Sequence, residues 1–459
     1  MAIHPIDSRY GTPGMRAVWT EEHRFACIVR AEAALAAAEA ACGLIPAKDA
    51  RAIAQGAKKA SLTRAKEIEA EIHHDMMAVV KALSEECGEA GRWVHFGATS
   101  NDILDTATGL QLRESLALLE EKLLRLLAIL LRRAKETRGL VCAARTHGQI
   151  GIPTTYGMRF ALWASEVARH LDRLREIRPR VEVGKMAGAV GTMAALGEDG
   201  FCVQEKMMGE LGLGILDISN QIVPRDRYAE YFMFLAGVAT TLDRMGITVR
   251  TLQRTEIAEL EEPFGKKQVG SSTMPHKRNP IRSEQVSGLS RVIRSAVEPA
   301  LQDNTLWDER DLTNSSCERV LFPEATILTD HILRVMTGVM DGLTIREENV
   351  RKNLAILGGI PVAEAVMVEL TKRGMGRQDA HEAVRVASME VYRKKGDLAA
   401  ILAADTEVKK FITRKELGAL LDPEQYIGTA PAQVDRVVAR LSKYTAGPGS
   451  ARKTSRRKR

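Results

Sequence analysis

Aromatic residues make up only 4% of the 459-residue chain. Its interior must therefore be built from Leu, Ala, Val, Ile and Met, a palette that suits helices better than sheets. Cysteine is sparse: six residues, at positions 27, 42, 87, 142, 202 and 317, with no CxxC and no His/Cys cluster along the sequence. That argues against a disulfide framework or a structural zinc site and for a reducing compartment. No apolar run reaches 18 residues, and the opening MAIHPIDSRYG contains no stretch of signal-peptide type. The expectation is a soluble, cytoplasmic protein with no membrane span. Proline is missing between Pro46 and Pro153 and again between Pro224 and Pro263, where it would break helices.

The formal charge of +7 is misleading. Six basic residues, Arg452, Lys453, Arg456, Arg457, Lys458 and Arg459, fall in the last eight positions, and without them the chain carries +1. The preceding Ala446-Gly-Pro-Gly-Ser-Ala reads as a linker. The tail reads as a solvated extension. Contact with nucleic acid is the sharper alternative, but the tail has no aromatic residue to stack on bases.

The remaining patterning is helical. One helix opens at Thr20, with Glu21 and Glu22 in its first turn, and closes at Gly43. From about Thr108 to Gly139, leucine recurs at 110, 112, 116, 119, 123, 126, 127 and 130, which predicts a rod of about 45 Å. Further helices are predicted over about Gly157 to Pro179 and from Pro224 through Glu261. No strand-like alternation of comparable length occurs. Helices this long need partners on several sides, so the fold class is all-α, with a central long-helix bundle and smaller helical N- and C-terminal domains. The expected division is 1–105, 106–345 and 346–442, followed by a basic tail, 443–459.

Four segments interrupt the helical pattern. Gly270-Ser-Ser-Thr-Met-Pro-His-Lys-Arg-Asn-Pro-Ile combines backbone mobility with a hydroxyl, the Lys277 ammonium and the Asn279 amide. It reads either as an exposed turn or as a loop closing over an anion. Ala144-Arg-Thr-His-Gly places His147 in a polar link between long helices, where an imidazole suits proton transfer. In Ile72-His-His-Asp, His73 and His74 cannot face the same way, so at most one points into a site. The segment also lacks the i, i+4 pairing of a helical zinc site. Gly97-Ala-Thr-Ser-Asn-Asp reads as a helix cap or as a carboxylate contact.

Together these segments carry a resemblance. Residues 270–279 match the GSSxMPxKxN signature of the fumarase/aspartase superfamily at every fixed position, and 97–107 and 144–157 are similar to its other two blocks. Within that superfamily, several segments resemble the adenylosuccinate lyase family. They are Ser8-Arg-Tyr, His74-Asp75, Arg145-Thr-His-Gly, Lys185-Met-Ala-Gly-Ala-Val-Gly-Thr and Trp307-Asp-Glu-Arg-Asp-Leu-Thr-Asn-Ser-Ser-Cys-Glu-Arg. The chain departs from the family pattern at Asn101, Ala187, Tyr228, Asp308, Thr313, Asn314 and Cys317. The resemblance runs from Arg9 to about Leu441 and leaves only the tail unaccounted for.

The resemblance implies a fumarase/aspartase-like fold and a β-elimination that releases fumarate from adenylosuccinate, giving AMP. It implies the same reaction on the succinyl-carboxamide ribotide of purine biosynthesis, giving AICAR. Proton removal beside a carboxylate needs an oriented base and fixed positive charge for the developing anion. Carried over, Ser271 is the base and His147 the general acid, oriented by Glu284. Lys277 and Asn279 hold the succinyl carboxylates, with Thr99, Ser100 and Thr146 as further contacts. His74 sits near the phosphate or supports the acid, beside Asp75. Arg9, Tyr10, Arg310, Ser315 and Arg319 resemble nucleotide-binding residues, where guanidinium groups suit phosphate, and Gln221 is a substrate amide contact. No metal or other cofactor is implied. The family's homotetramers share their sites between subunits. Two competing readings are another fumarate-releasing lyase of the superfamily and a non-catalytic structural relative.

Overall fold

The computed structural model describes residues 4–265, 273–274, 276–394 and 396–445. The catalytic base expected at Ser271 and the tail from residue 446 lie outside them. Five long helices dominate: α1 (Glu21–Ala41), α2 (Ser100–Glu136), α3 (Tyr156–Val181), α4 (Asp226–Leu252) and α5 (Thr313–Gly342). The all-α expectation is met.

Local chemistry explains these elements. Thr20 caps α1 by accepting from the His23 N–H at 3.2 Å, and the chain leaves the helix through Gly43 at φ 82°. On α2 every leucine of the predicted stripe, from Leu110 to Leu130, is at most 1% exposed. Each contributes roughly 1.5–3 kcal/mol relative to an exposed side chain.

The described residues form two compact units. The first contains 1–123, 169–243 and 286–334. One apolar cluster joins α1 to the start of α2 and to helix Asp199–Leu211. Elsewhere in this unit Glu120 of α2 accepts from Arg175 and Arg178 of α3, and His170 of α3 bonds Thr241 of α4 at 2.9 Å. Tyr231 of α4 reaches Thr326 of α5 at 2.9 Å. The second unit contains 124–168, 244–285 and 335 onward. One of its apolar clusters is built by the C-terminal helices between Val362 and Leu421.

Three local expectations need correction. The link after α2 is a β-hairpin, β1 (Val141–Thr146) against β2 (Gln149–Thr155). Thr146 pairs with Gln149, so His147 and Gly148 form a two-residue turn, with φ of 53° and 76°. Positive φ at both turn positions matches the right-handed twist of the flanking strands. Next, α4 ends at Leu252 and does not continue through Glu261; the chain turns at Ala258, with φ 48°, and Glu259 is fully buried. Finally, Cys42 and Cys202 form a disulfide across a sequence separation of 160. Packing of α1 against helix Asp199–Leu211 brings them together, and no local spacing announces it. Cys27, Cys87, Cys142 and Cys317 remain thiols.

Candidate active site

In the first unit, α1, α2 and α5 wall a cavity of about 380 Å³. Four of the sequence-predicted residues line it: Asp75, Arg310, Ser315 and Arg319. Asp75 opens helix Asp75–Glu85, and its Oδ2 accepts from Arg319 at 2.7 Å. Arg310 donates to Asn101 Oδ1 at 2.6 Å and to Gln221 Oε1 at 3.4 Å, both neutral, while its buried Nε has no partner among the described residues. A guanidinium held by amides keeps most of its charge available to a ligand.

Arg24 of α1 also lines the cavity, and sequence reasoning missed it. Among the described residues its guanidinium makes no hydrogen bond; only its backbone N–H does, to the Thr20 carbonyl at 3.0 Å. Burial, and then the neighbouring Arg319, pull its guanidinium below the ordinary value. The one available signal was a basic residue one turn inside an alanine-rich helix.

Beneath these groups lies a buried ionic frame. Arg225 forks onto Asp105 at 2.8 and 3.0 Å and onto Glu318 at 2.7 and 3.1 Å. Asp105 also accepts from Val223 N–H and Asn101. Burial alone would raise the Asp105 carboxyl. The Arg225 charge and these hydrogen bonds outweigh it and hold the group below its usual range. One turn earlier on α2, fully buried Asp102 takes the Lys185 ammonium at 2.6 Å. It also accepts backbone N–H groups from Ala187, Gly188 and Thr99. The frame thus fixes the start of α2 and the segment after Lys185 relative to the cavity wall. An acidic pair three residues apart on an apolar helix was its sequence trace.

The other predicted residues of this unit lie outside the cavity lining. His74 caps helix Asp75–Glu85, its Nδ1 accepting from Met77 N–H at 3.2 Å, and His73 takes φ 53°. The two residues lie at a helix junction, His73 ending helix Leu62–Ile72 and His74 opening the next, and not on one helix. Thr99 and Ser100 sit at the start of α2. Arg9 and Tyr10 follow the short helix Pro5–Ser8, with the Tyr10 ring 5.0 Å from His331. Next to them Gly11 sits at φ 83°, where a Cβ would meet Ile327 at 2.4 Å, and its N–H donates to His331 Nδ1 at 3.1 Å.

In the second unit, Thr146 and His147 are exposed at the hairpin tip. The hairpin is anchored through Glu259, which is fully buried. It accepts from Arg145 at 2.8 Å, Tyr156 at 2.6 Å and Asn353 at 3.0 Å. Val141, Ala143 and Leu354 pack beneath the strands. The tip therefore projects His147 from a rigid base. The signature segment enters helix Ile281–Ser295, whose N-terminus is held by Glu262 accepting from Ser283 at 2.7 Å and Arg282 at 3.1 Å. A carboxylate there also suits the helix dipole. Gln253 bonds the Arg278 carbonyl at 3.0 Å. Lys277 is exposed, Asn279 partly buried, and Glu284 exposed in the first helical turn.

Known proteins share this chain's sequence and fold. A family model described as lyase matches residues 8–295. The fumarate lyase from Mesorhizobium sp. BNC1, a solved structure, has a TM-score of 0.88 at 32% identity, covering 95% of this chain and 100% of that one. Fold and family model together define an enzyme, a lyase of the fumarase/aspartase superfamily. A second family model, adenylosuccinate lyase C-terminus, matches residues 359–437. The adenylosuccinate lyase of Pyrococcus horikoshii is 53% identical over 95% of this chain and 98% of its own length. That of Methanocaldococcus jannaschii is 53% identical over 96% of each. The chain belongs to the adenylosuccinate lyase family.

Proposed function

We propose that this carbon–nitrogen lyase releases fumarate from adenylosuccinate, giving AMP, and from the succinyl-carboxamide ribotide, giving AICAR. The observation that carries the nucleotide part is the set of guanidinium groups on one cavity. Among the described residues Arg310 is held only by amides and the Arg24 guanidinium has no hydrogen-bond partner, and Ser315 and Arg319 stand alongside. Such a cavity suits a dianionic phosphate better than any neutral leaving group. Arg9 and Tyr10 extend the phosphate side, and Gln221 contacts the base or sugar.

The elimination assigns opposite proton traffic to two groups. Ser271 removes the proton beside the succinyl carboxylate, and His147 protonates the departing nitrogen. Lys277 and Asn279 hold the carboxylates and the charge that develops on them, aided by Thr99, Ser100 and Thr146. Glu284 orients the acid, and His74 supports the phosphate side next to Asp75. A hairpin tip anchored through Glu259 suits a general acid, since its position must be fixed within tenths of an ångström. The working form is a cytoplasmic homotetramer whose subunits share the sites.

Fumarate release measured on adenylosuccinate tests the substrate. Release from argininosuccinate in its place would overturn the assignment. Arg310→Ala should raise KM for the nucleotide at least tenfold, and an unchanged KM would remove the phosphate argument. His147→Asn keeps a residue tolerant of positive φ in the turn and should lower kcat by about 10²–10⁴-fold. Unaltered kcat would exclude the imidazole as the acid.

A further inference from the structure

We propose that His23, Cys27 and Glu114 form a binding site for a divalent transition-metal ion of the zinc type, separate from the substrate cavity. His23 and Cys27 lie four residues apart on α1, hence on one face and one turn apart. Glu114, from α2, closes the third side. The sequence hides the cluster because Glu114 is distant in the chain and His-x-x-x-Cys matches no familiar zinc spacing.

The distances suit coordination. His23 Nε2 lies 3.6 Å from Cys27 Sγ and 2.8 Å from Glu114 Oε2. The three donor atoms all fall within 4.8 Å of one another. Tetrahedral zinc holds sulfur at about 2.3 Å and nitrogen or oxygen at about 2.0–2.1 Å, which gives N–S and N–O edges of about 3.5 and 3.4 Å. The N–S edge is in place already. The ion pair need open by only about half an ångström as each partner turns to the metal.

Burial is graded in the same sense. Cys27 is 4% exposed, whereas the His23 and Glu114 side chains are 34% and 35% exposed. The packed thiol fixes the floor, and the open side admits water as a fourth ligand. One sulfur, one imidazole and one carboxylate select zinc, cobalt or nickel over magnesium and calcium, which want oxygen ligands only. Binding sends the thiol proton to solvent. Of the neighbouring cations, Arg113 is taken up by the Leu211 and Gly212 carbonyls. An ion here would tie α1 to α2 one residue before Arg24, so its role is to brace the cavity wall, not to join the chemistry.

The test uses full-length, untagged protein stripped with a chelator and titrated with Co²⁺. The expected result is one equivalent per chain with a thiolate-to-cobalt charge-transfer band, bleached by Zn²⁺. Cys27→Ser and His23→Gln should each abolish the band and weaken uptake at least tenfold, and Cys142→Ser should leave both unchanged. Circular dichroism checks folding, and the partly exposed His23→Gln decides the matter if Cys27→Ser misfolds. Absence of the band in the wild-type protein, or a band that survives both variants, overturns the site and leaves an ordinary His–Glu ion pair beside a buried thiol.

Discussion

Glu39 sits on α1 with both carboxylate oxygens buried and, among the described residues, unpartnered. Burial, helped by the charge of Glu32, pushes its carboxyl up to about 8. Between its ordinary value of 4.5 and about 8, the unfolded chain has lost a proton that the folded chain still holds. Each rise in pH across that window therefore favours unfolding. Glu39→Gln should raise the midpoint of thermal unfolding at pH 8.5 while changing little at pH 4.5, as read by circular dichroism. An equal change at both pH values would refute the assignment. His170 acts at the acid end, where burial and the nearby Arg173 lower it to about 4. The unfolded state takes up a proton first as pH falls below 6.5, so stability is lost between 6.5 and 4.

Among the elements, α2 depends on one missing side chain. A Cβ at Gly109 would lie 2.2 Å from the Val183 carbonyl oxygen, a backbone atom that cannot swing aside. Gly109→Ala should cost about 1–3 kcal/mol in urea unfolding despite alanine's better helix propensity. A stabilised variant would show that the close approach is absent. The hairpin shows the opposite limit on reading elements from sequence. Its strands are short and only partly buried, so apolar alternation is weak, and the His147-Gly148 turn lacks the usual Asn-Gly or Asp-Gly signal. The stop of α4 at Leu252 was equally hidden. It serves Glu259, whose three partners come from β1, the start of α3 and helix Glu347–Ala355.

On the scale of the whole molecule, the long helices keep apolar side chains outside. Leu162 on α3, Met233 and Ile247 on α4 and Val320 on α5 are 52%, 46%, 51% and 58% exposed. α4 is apolar and long enough to cross a membrane by length and composition, with half of its most apolar window buried. The proposed tetramer would cover such surfaces without a bilayer. Light scattering on the purified protein should give four times the 50.4 kDa chain mass. A monomer that still turns over would refute the shared-site proposal.

The sequence by itself determined what local pattern encodes. The leucine stripe of α2 and the Thr20 cap follow from spacing and residue type, and the family followed from motifs read together. Tertiary structure alone decided which distant groups meet. The Arg225 fork onto Asp105 and Glu318, the place of Arg24 in the cavity wall, the Cys42–Cys202 bond and the His23–Cys27–Glu114 cluster all join residues on different helices. Helical periodicity specifies which face is buried but not the rotation and register at which two buried faces dock. Those are set by packing, which no single segment contains.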